Sequence, residues 1–274
     1  MAATSVREAL DSAVVALSAA EVDTPRLDAE VLLAFVLGVD RGALIVDRDL
    51  AVEGSAVREF QNAVRRRAFE REPVAYLTGK KGFRRLDLAV DPRVLIPRPE
   101  TETLVEAAIE ALPQGARVVD VGTGSGAVAL ALKDERPDLE VTGTDVSEDA
   151  LAVARANGER IGLDVTFAHA DLLAGVGSFD AVVSNPPYVE DGAELAPEIV
   201  RHEPALALRA GPEGLDVLSL LVPAAAALGA ELFAVEVGAG QAAAVEAMAR
   251  DAGFGRAQRP RDLAGIERVV VAWR

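Results

Sequence analysis

A glycine-rich turn in the middle of the chain is the first segment whose residues could bind a ligand. An apolar run typical of a buried strand, Val118–Val121, precedes it, and a helical pattern begins at Ala127. The residues of the turn are Gly122, Thr123, Gly124, Ser125 and Gly126. Glycines let the backbone approach a ligand closely, and a helix start offers free N–H groups. A tight strand-to-helix turn without a ligand would use the same glycines.

The spacing of these glycines bears on which ligand the turn could hold. In the dinucleotide pattern Gly-x-Gly-x-x-Gly the third glycine comes three residues after the second, whereas Gly126 comes two residues after Gly124. The spacing therefore disfavours NAD.

Acidic residues follow the next two predicted strands. Asp145 lies where a doubly wound fold places the carboxylate that binds a ribose. It could instead belong to the N-cap region of the following helix, where Ser147 competes for the same role. The third strand ends at Asp171 and Leu172, a position suited to an adenine edge, although Asp171 alone would also suit an ordinary turn.

The fourth strand ends in the segment Ser184-Asn185-Pro186-Pro187-Tyr188. Two consecutive prolines stop a strand, so a simple strand end is one interpretation. Placed after a glycine turn and an acid-ended strand, however, Asn-Pro-Pro-Tyr resembles the amino-methylating class of S-adenosylmethionine-dependent methyltransferases.

The chemistry of that class explains these residue types. An amide nitrogen has a delocalised lone pair, so it attacks a sulfonium methyl only when its N–H groups are held and the nitrogen is in line. The Asn185 side-chain oxygen and the Pro186 carbonyl can accept the two N–H bonds, and Pro187 stiffens the loop. Tyr188 offers a flat face for a planar group. No general base is needed before attack, because the methylated nitrogen becomes acidic.

Other segments resemble one family within this class, the release factor glutamine methyltransferases. The segments are Pro73–Gly79, Leu95–Glu102, Arg201–Pro204 and Ala207-Leu208. The resemblance covers nearly the whole chain and is weakest in residues 1–60. It implies methylation of the glutamine N5 in the Gly-Gly-Gln motif of class I peptide chain release factors, the expected partners, with S-adenosylhomocysteine as the second product and no metal.

The resemblance also implies a role for each motif. Gly122–Gly126 is expected to bind the cofactor, Asp145 its ribose, and Asp171 with Leu172 its adenine. Asn185 is expected to contact both cofactor and substrate. The substrate amide is expected to be held by Asn185, Pro186, Pro187 and Tyr188, of which Asn185, Pro186 and Tyr188 are the expected catalytic residues.

Three alternatives to this function stay open at the level of sequence. A ribosomal-protein glutamine methyltransferase would use the same site. An adenine-N6 nucleic-acid methyltransferase would need a target-recognition domain and a basic track for the phosphate backbone, and neither is apparent. A cofactor-binding module without catalysis would leave Asn-Pro-Pro-Tyr without a purpose.

The elements predicted around these motifs form an α/β fold. Short β-rich runs alternate with helical ones after Arg117, which indicates a doubly wound, Rossmann-like sheet, and the resemblance implies seven strands. The expected strands are Arg117–Val121, Glu140–Asp145, Val165–Ala170, Phe179–Ser184, Glu231–Val237 and Glu267–Trp273. Residues 1–72 are expected to form a helical substrate-recognition domain, 73–98 a β-hairpin linker, and 99–274 the methyltransferase domain.

Within the helical domain, three features mark predicted helices. Ser5 and Glu8 have the spacing of a capping box, Gly38 is positioned to end a helix, and a third helix is expected over Ser55–Arg71.

Composition excludes several classes of site. The 274 residues include no Cys and two His, so disulfides, thiol nucleophiles and cysteine-built metal centres are excluded. His169 and His202 lack partners in any motif and are expected to make structural hydrogen bonds. No apolar run approaches the roughly 18 residues of a membrane span, and the N-terminus lacks a signal pattern, so a cytoplasmic protein without membrane contact is expected.

Charge is unevenly distributed along a chain whose formal net charge is −16. Residues 65–98 carry an excess of basic side chains, which could form a solvated surface or a docking surface for an acidic partner. Arg98 and Glu100 could shape the substrate mouth or pair with each other on the surface. The acidic remainder opposes broad nucleic-acid binding.

Overall fold

The computed structural model describes residues 4–274, so the first three residues of the N-terminal segment lie outside the described residues. The chain divides into two compact units. One comprises the chain up to Gly79 together with Leu195–His202, and the other comprises Lys80–Glu194 together with Glu203–Arg274.

The helices and strands have the following bounds. The helices are α1 (Val6–Ala19), α2 (Pro25–Leu37), α3 (Arg41–Val46), α4 (Ser55–Arg65), α5 (Val74–Thr78), α6 (Thr101–Ala111), α7 (Ala127–Glu135), α8 (Glu148–Ile161), α9 (Pro197–His202), α10 (Asp216–Leu228) and α11 (Ala242–Asp251). The strands are β1 (Thr4–Ser5), β2 (Ala51–Val52), β3 (Lys80–Phe83), β4 (Leu86–Ala89), β5 (Arg117–Val121), β6 (Glu140–Asp145), β7 (Thr166–His169), β8 (Ala181–Ser184), β9 (Leu232–Glu236), β10 (Arg256–Gln258) and β11 (Val269–Trp273). In residues 4–274 we find no helix with the length and hydropathy needed to cross a bilayer.

The first unit is built from amphipathic helices whose ends follow local rules. The capping box at the start of α1 is confirmed, because the Glu8 N–H donates to Ser5 Oγ at 3.2 Å and the Ser5 N–H donates to Glu8 Oε2 at 2.9 Å. Gly38 ends α2 in the left-handed conformation, with φ 66°. The core side chains of this unit include Leu10, Leu17, Leu32, Leu33 and Phe60.

The third predicted helix, Ser55–Arg71, is regular only as far as Arg65. A wider π-helical turn, Arg66–Glu70, follows, and Arg71 has a left-handed backbone with φ 58°. The Arg71 guanidinium donates to the carbonyl oxygen of Ala20 and to the Glu198 carboxylate. These contacts hold Arg71 in a conformation that ends the helix.

The second unit contains the predicted α/β sheet. Its strand order is β10-β11-β9-β8-β5-β6-β7, and the run from β9 to β7 is parallel, while β11 is antiparallel to both neighbours. The doubly wound, seven-stranded sheet is confirmed. Strand β10 was not predicted, because the short segment Arg256–Gln258 has no apolar alternation.

Alternate residues of the central strand β5 face the two layers of helices. Val118 belongs to the apolar cluster that contains Leu104 of α6 and Leu130 of α7, whereas Val119 belongs to the cluster that contains Leu221 of α10. Both faces of the sheet are therefore covered by helices. A ligand can approach the sheet at the carboxyl ends of its parallel strands.

The segment expected to be a linker, residues 73–98, is divided between the two units. Its first part forms α5 in the first unit, and its second part forms the antiparallel hairpin of β3 and β4 in the second. The Pro73 backbone is extended and precedes α5, and Gly79 ends that helix with φ 68°. The role of residues 1–72 in substrate recognition stays a prediction.

The arginines of the basic segment 65–98 are engaged within the protein. All of them form ion pairs with carboxylates: Arg65, Arg66, Arg67, Arg71, Arg84, Arg85, Arg93 and Arg98. Such pairs cancel the local charge that an acidic partner would meet. The structure thus favours the interpretation that this segment is not a strongly basic docking surface.

Candidate active site

A cavity of about 260 Å³ lies where the parallel strands of the second unit end. Ligands in open α/β sheets bind at this edge. The cavity brings together most of the residues predicted for the site: Gly122, Gly124, Asp145, Asp171, Leu172, Asn185, Pro186 and Pro187. Four predicted residues do not line it: Thr123, Ser125, Gly126 and Tyr188. The motifs therefore converge at the cavity, while the side chains of Thr123 and Tyr188 form hydrogen bonds elsewhere, with Asp120 and Glu236.

The glycine turn has a backbone that other residues would strain. Gly122 and Gly124 have φ values of 72° and 55°, although a Cβ at either position would meet no atom within 4 Å. The backbone conformation therefore favours glycine at both positions, and the space beside the turn is open to a ligand. Gly126 has a left-handed backbone as well, with φ 83°. A Cβ there would lie 3.0 Å from Leu130 Cδ1 and 3.3 Å from Phe167 Cζ, so close packing also favours glycine at this position.

Two residues of the turn face the protein interior. The Thr123 hydroxyl donates to Asp120 Oδ2 at 2.7 Å, and the same oxygen accepts the Ala129 N–H at 3.1 Å. Ser125 is buried, and its carbonyl oxygen accepts a hydrogen bond from Asn157 Nδ2 at 3.0 Å. Asp120 therefore ties the turn to the first turn of α7, where Ala129 would otherwise lack a partner for its N–H.

Asp120 gives a prediction about stability and pH. Burial raises its pKa from 3.8 to about 7, against the hydrogen bonds from Thr123 and Ala129. Between those values the folded state keeps a proton that the unfolded state releases, so the free energy of unfolding falls as the pH rises through this range. Asp120→Asn keeps an acceptor oxygen and removes the ionisation, so its free energy of unfolding should change less with pH. Urea unfolding of both proteins across that pH range measures this. Parallel curves for the two proteins would contradict it.

Asp145 holds the glycine turn from the neighbouring strand. Its Oδ2 accepts the Gly124 N–H and its Oδ1 accepts the Ser147 N–H, each at 2.9 Å. Ser147, not Asp145, is the N-cap of α8, because its Oγ accepts the Ala150 N–H at 3.2 Å. Each Asp145 oxygen retains acceptor capacity for a second donor, such as a hydroxyl.

Asp171 and Leu172 form the wall of the cavity after β7. Leu172 has a left-handed backbone with φ 52°, which costs a residue with a side chain about 1 kcal/mol. Leu172 also packs against the apolar cluster of α10 and α11. This packing holds an unfavourable backbone conformation at the cavity wall, where unusual conformations often serve a site.

The Asn-Pro-Pro-Tyr segment is held at both ends. Asn185 Nδ2 donates to Thr101 Oγ1 at 3.0 Å, which leaves Oδ1 for another donor. The Tyr188 hydroxyl donates to Glu236 Oε1 at 2.9 Å. Burial, followed by the charge of Glu236, raises the pKa of Tyr188.

Tyr188 does not line the cavity, and the expectation that its ring faces a planar group stays a prediction. Its hydroxyl is engaged by Glu236, and a Cβ on Gly238 would lie 3.4 Å from its ring. Tyr188 thus anchors the loop that carries Asn185.

Sequence reasoning missed several residues of the site. Thr101 and Glu236 hold the Asn-Pro-Pro-Tyr segment, and Asp120 holds the glycine turn. The cavity wall also includes Arg93, Val94, Leu95, Pro204, Leu206, Ala207, Arg209, Val217 and Leu221. One signal was available, because an acidic residue ends the otherwise apolar strand Leu232–Glu236. An acid at such a position needs a buried partner.

Glu203 connects two parts of the cavity wall. Its Oε2 accepts the Ile96 N–H at 3.0 Å and its Oε1 accepts a hydrogen bond from Arg98 Nη2. Arg98 therefore pairs with Glu203, and the surface pair of Arg98 with Glu100 considered from the sequence is wrong. The segment after Glu203 and the segment before Ile96 both line the cavity.

The two histidines have structural partners, as expected. His202 Nε2 lies 2.8 Å from the Glu70 carbonyl oxygen, and His169 Nε2 lies 3.1 Å from that of Val146. Neither lines the cavity. Among residues 4–274, no cluster of three or more His, Asp or Glu side chains has the arrangement of a metal site, and independence from metal stays a prediction.

Glu203 supplies a second prediction. Glu203→Gln should lower the free energy of unfolding by roughly 2 kcal/mol, because the amide nitrogen of Gln must face one of two donors, the Ile96 N–H or Arg98. Affinity for a ligand bound in this cavity should fall as well, since two segments of the wall loosen. Urea unfolding and calorimetry measure these effects. The matched control is Glu100→Gln, an exposed carboxylate nearby, and equal effects of the two changes would contradict the assigned role of Glu203.

Comparison with known proteins identifies a methyltransferase domain and a second family domain in this chain. Residues 100–241 match the family model described as Methyltransferase small domain, and residues 8–79 match the PrmC N-terminal domain. The release factor glutamine methyltransferase of Mycolicibacterium smegmatis is 42% identical over 279 residues, with 99% of this chain and 98% of that protein covered. That of Deinococcus radiodurans is 44% identical over 277 residues, with 98% of each covered.

A solved structure supports the fold independently. The crystal structure of a methyltransferase from Pyrococcus furiosus superposes with a TM-score of 0.54 at 18% identity, and the match covers 69% of this chain and 88% of that one. At this identity the likeness concerns the fold alone. The two relatives are more than 40% identical to this chain over nearly the full length of both proteins, which is enough to show the family. The resemblance stated from the motifs is therefore confirmed. The chain belongs to the release factor glutamine methyltransferase family.

Proposed function

We propose that this protein transfers a methyl group from S-adenosylmethionine to the N5 amide nitrogen of the glutamine in the Gly-Gly-Gln motif of class I peptide chain release factors. One observation carries the proposal. Asn185 and Pro186 share a cavity with the glycine turn and Asp145, so groups suited to an amide and groups suited to the cofactor face the same space.

The residues of this cavity fit S-adenosylmethionine. Asp145 keeps acceptor capacity on both carboxylate oxygens, which suits a pair of ribose hydroxyls. Gly122 and Gly124 leave open space beside their backbone, where a ligand can approach closely. Asp171 offers a polar group and Leu172 an apolar one to the adenine. The cofactor, when bound, supplies an electrophilic methyl group on a sulfonium.

Asn185 and Pro186 orient the acceptor amide. Asn185 Oδ1 and the Pro186 carbonyl oxygen accept the two N–H bonds of the substrate amide, and this fixes the direction of the nitrogen lone pair. With the cofactor bound, the amide nitrogen would form a bond to the methyl carbon as the carbon–sulfur bond broke. The methylated nitrogen would then lose its extra proton to water, so the chain would need no general base.

The partner is proposed to be the release factor and not a nucleic acid. The named relatives are release factor glutamine methyltransferases, and the arginines of residues 65–98 are paired with carboxylates, which leaves little for a phosphate backbone. We place the reaction in the cytoplasm, where translation termination occurs, without a membrane and without a metal.

Transfer of labelled methyl groups to three acceptors tests the proposal. The acceptors are an intact class I release factor, the same factor with the Gln of its Gly-Gly-Gln motif replaced, and adenine-containing DNA. We expect label on the intact factor alone. Label on DNA would establish the nucleic-acid alternative, and equal label on the intact and the Gln-replaced factor would refute the proposed methylation position.

A further inference from the structure

The backbone of the Asn-Pro-Pro-Tyr segment has few means of holding its own position. Strand β8 ends at Ser184, and Pro186 and Pro187 have no backbone N–H with which to bond a neighbouring segment. The proline rings fix φ but not ψ, so the direction of the Pro186 carbonyl depends on what holds the two ends of the segment. The proposed function needs that carbonyl oxygen at a fixed place.

Gln241, the residue before α11, binds the backbone directly after the prolines. Its Nε2 donates to the carbonyl oxygens of Tyr188 and Glu213, each at 3.1 Å, and lies 3.4 Å from that of Gly214. One side-chain amide thus joins the end of the motif to a second segment of the chain. Gln241 does not line the cavity, so any effect on the reaction passes through the motif.

That second segment also runs beside the chain that leaves the motif. The Val189 N–H donates to the Leu208 carbonyl oxygen, and the Ala210 N–H donates to the Val189 carbonyl oxygen, each at 2.9 Å. Gln241 therefore closes the pair of segments at the point where the motif ends.

A further hydrogen bond fixes which way the Gln241 amide faces. The Gly238 N–H donates to Gln241 Oε1 at 2.8 Å. A flipped amide would set N–H against N–H at Gly238 and oxygen against oxygen at Tyr188, so both hydrogen bonds would be lost. The nitrogen of the amide is thus directed at Tyr188.

Two glycines make room for Gln241. A Cβ on Gly238 would lie 2.8 Å from Gln241 Oε1, and a Cβ on Gly214 would lie 2.8 Å from Gln241 Nε2 and overlap the Tyr188 carbonyl oxygen. Nonbonded atoms prefer separations of about 3.5 Å or more, so a side chain at either position would displace Gln241 or Tyr188.

We propose that Gln241 is a positioning residue for methyl transfer, which sets the place of the Pro186 carbonyl oxygen and of the Asn185 side chain by holding the backbone at Tyr188. Glu236 holds the same residue through the hydroxyl at the end of its ring, whereas Gln241 acts on the backbone itself, two residues after Pro186. The inference rests on the proposed function, since it assumes that Asn185 and Pro186 receive the substrate amide.

Substitutions at Gln241 test the inference. Gln241→Glu keeps the size of the side chain and the acceptor for Gly238 but sets a carboxylate oxygen against the Tyr188 carbonyl oxygen. The kcat for methyl transfer to the intact release factor should fall about 10-fold or more. The cofactor Kd should be unchanged, because the glycine turn and Asp145 are untouched. Gln241→Met, which lacks both hydrogen bonds, should lose kcat as well, whereas Gln258→Glu on the exposed strand β10 should not.

Gly214→Ala tests the same carbonyl group without a change at Gln241. The added Cβ would displace the Tyr188 oxygen, so kcat should fall by a similar factor at unchanged cofactor Kd. The matched control is Gly229→Ala. Gly229 also has a left-handed backbone, with φ 85° against 66° at Gly214, but a Cβ there would meet no atom within 4 Å. Both variants strain the backbone, and only Gly214→Ala should lose kcat.

The outcomes separate this inference from the proposed function. Wild-type protein that transfers no methyl to the release factor overturns both. With active wild-type protein, full kcat in Gln241→Glu overturns the inference alone, and so does equal kcat in folded Gly214→Ala and Gly229→Ala. Thermal unfolding and cofactor Kd are measured for each variant, and a kcat loss in Gln241→Glu that only follows the loss of folded protein or of bound cofactor also overturns it. If Gly214→Ala does not fold, the Gln241 variants decide.

Discussion

Asn185→Ala is expected to lower kcat for methyl transfer by at least about 100-fold while the affinity for S-adenosylmethionine changes little. The side chain lies in the cavity wall and is held by Thr101, and its free Oδ1 is the proposed acceptor for the substrate amide. Loss of this acceptor removes an interaction that orients the nitrogen for attack. Transfer of labelled methyl groups to the intact release factor measures kcat, and calorimetry measures cofactor binding.

A control for this substitution is Asn62→Ala, which removes an exposed amide in the first unit. It should leave kcat unchanged. If Asn185→Ala retained a kcat near that of the wild type, the Asn-Pro-Pro-Tyr segment would serve only to end strand β8.

Asp145→Ala is expected to have the largest effect on cofactor binding. The carboxylate both holds the glycine turn, through the Gly124 N–H at 2.9 Å, and is proposed to accept from the ribose hydroxyls. Loss of these hydrogen bonds should weaken cofactor binding by roughly 1 to 3 kcal/mol, that is, about 5- to 150-fold in Kd. Calorimetry with the folded variant measures the change.

The matched control is Asp164→Ala, which removes an exposed carboxylate after α8. Its cofactor Kd should equal that of the wild type. An unchanged Kd in Asp145→Ala would remove Asp145 from the binding site, and tight binding of NAD without binding of S-adenosylmethionine would contradict the whole assignment of the cavity.

The fold could be predicted where local chemistry determines it. The Arg117–Val121 and Glu140–Asp145 runs form strands with the predicted bounds, because buried β-branched residues between turn signals fit few other structures. Strand Phe179–Ser184 begins later, at Ala181, and strand Glu267–Trp273 begins at Val269, since the ends of strands depend on pairing with neighbours. The edge strand β10 depends wholly on its partner β11.

The candidate site could be predicted only in part, for a similar reason. Gly122, Asp145 and Asn185 belong to short motifs at strand ends, and the strands of a parallel sheet end at one edge. The partners that hold them come from distant parts of the chain: Thr101 is 84 residues from Asn185, and Glu203 is 107 residues from Ile96. No local pattern encodes such contacts, so their roles emerge only from the folded arrangement.

Peptide mass spectrometry of a class I release factor co-expressed with this protein tests the central claim most directly. The account predicts one methyl group on the glutamine side chain of the Gly-Gly-Gln motif, present with the wild-type protein and absent with Asn185→Ala. An unmodified motif in the presence of folded wild-type protein, or a methyl group that persists at the same level with Asn185→Ala, would contradict it.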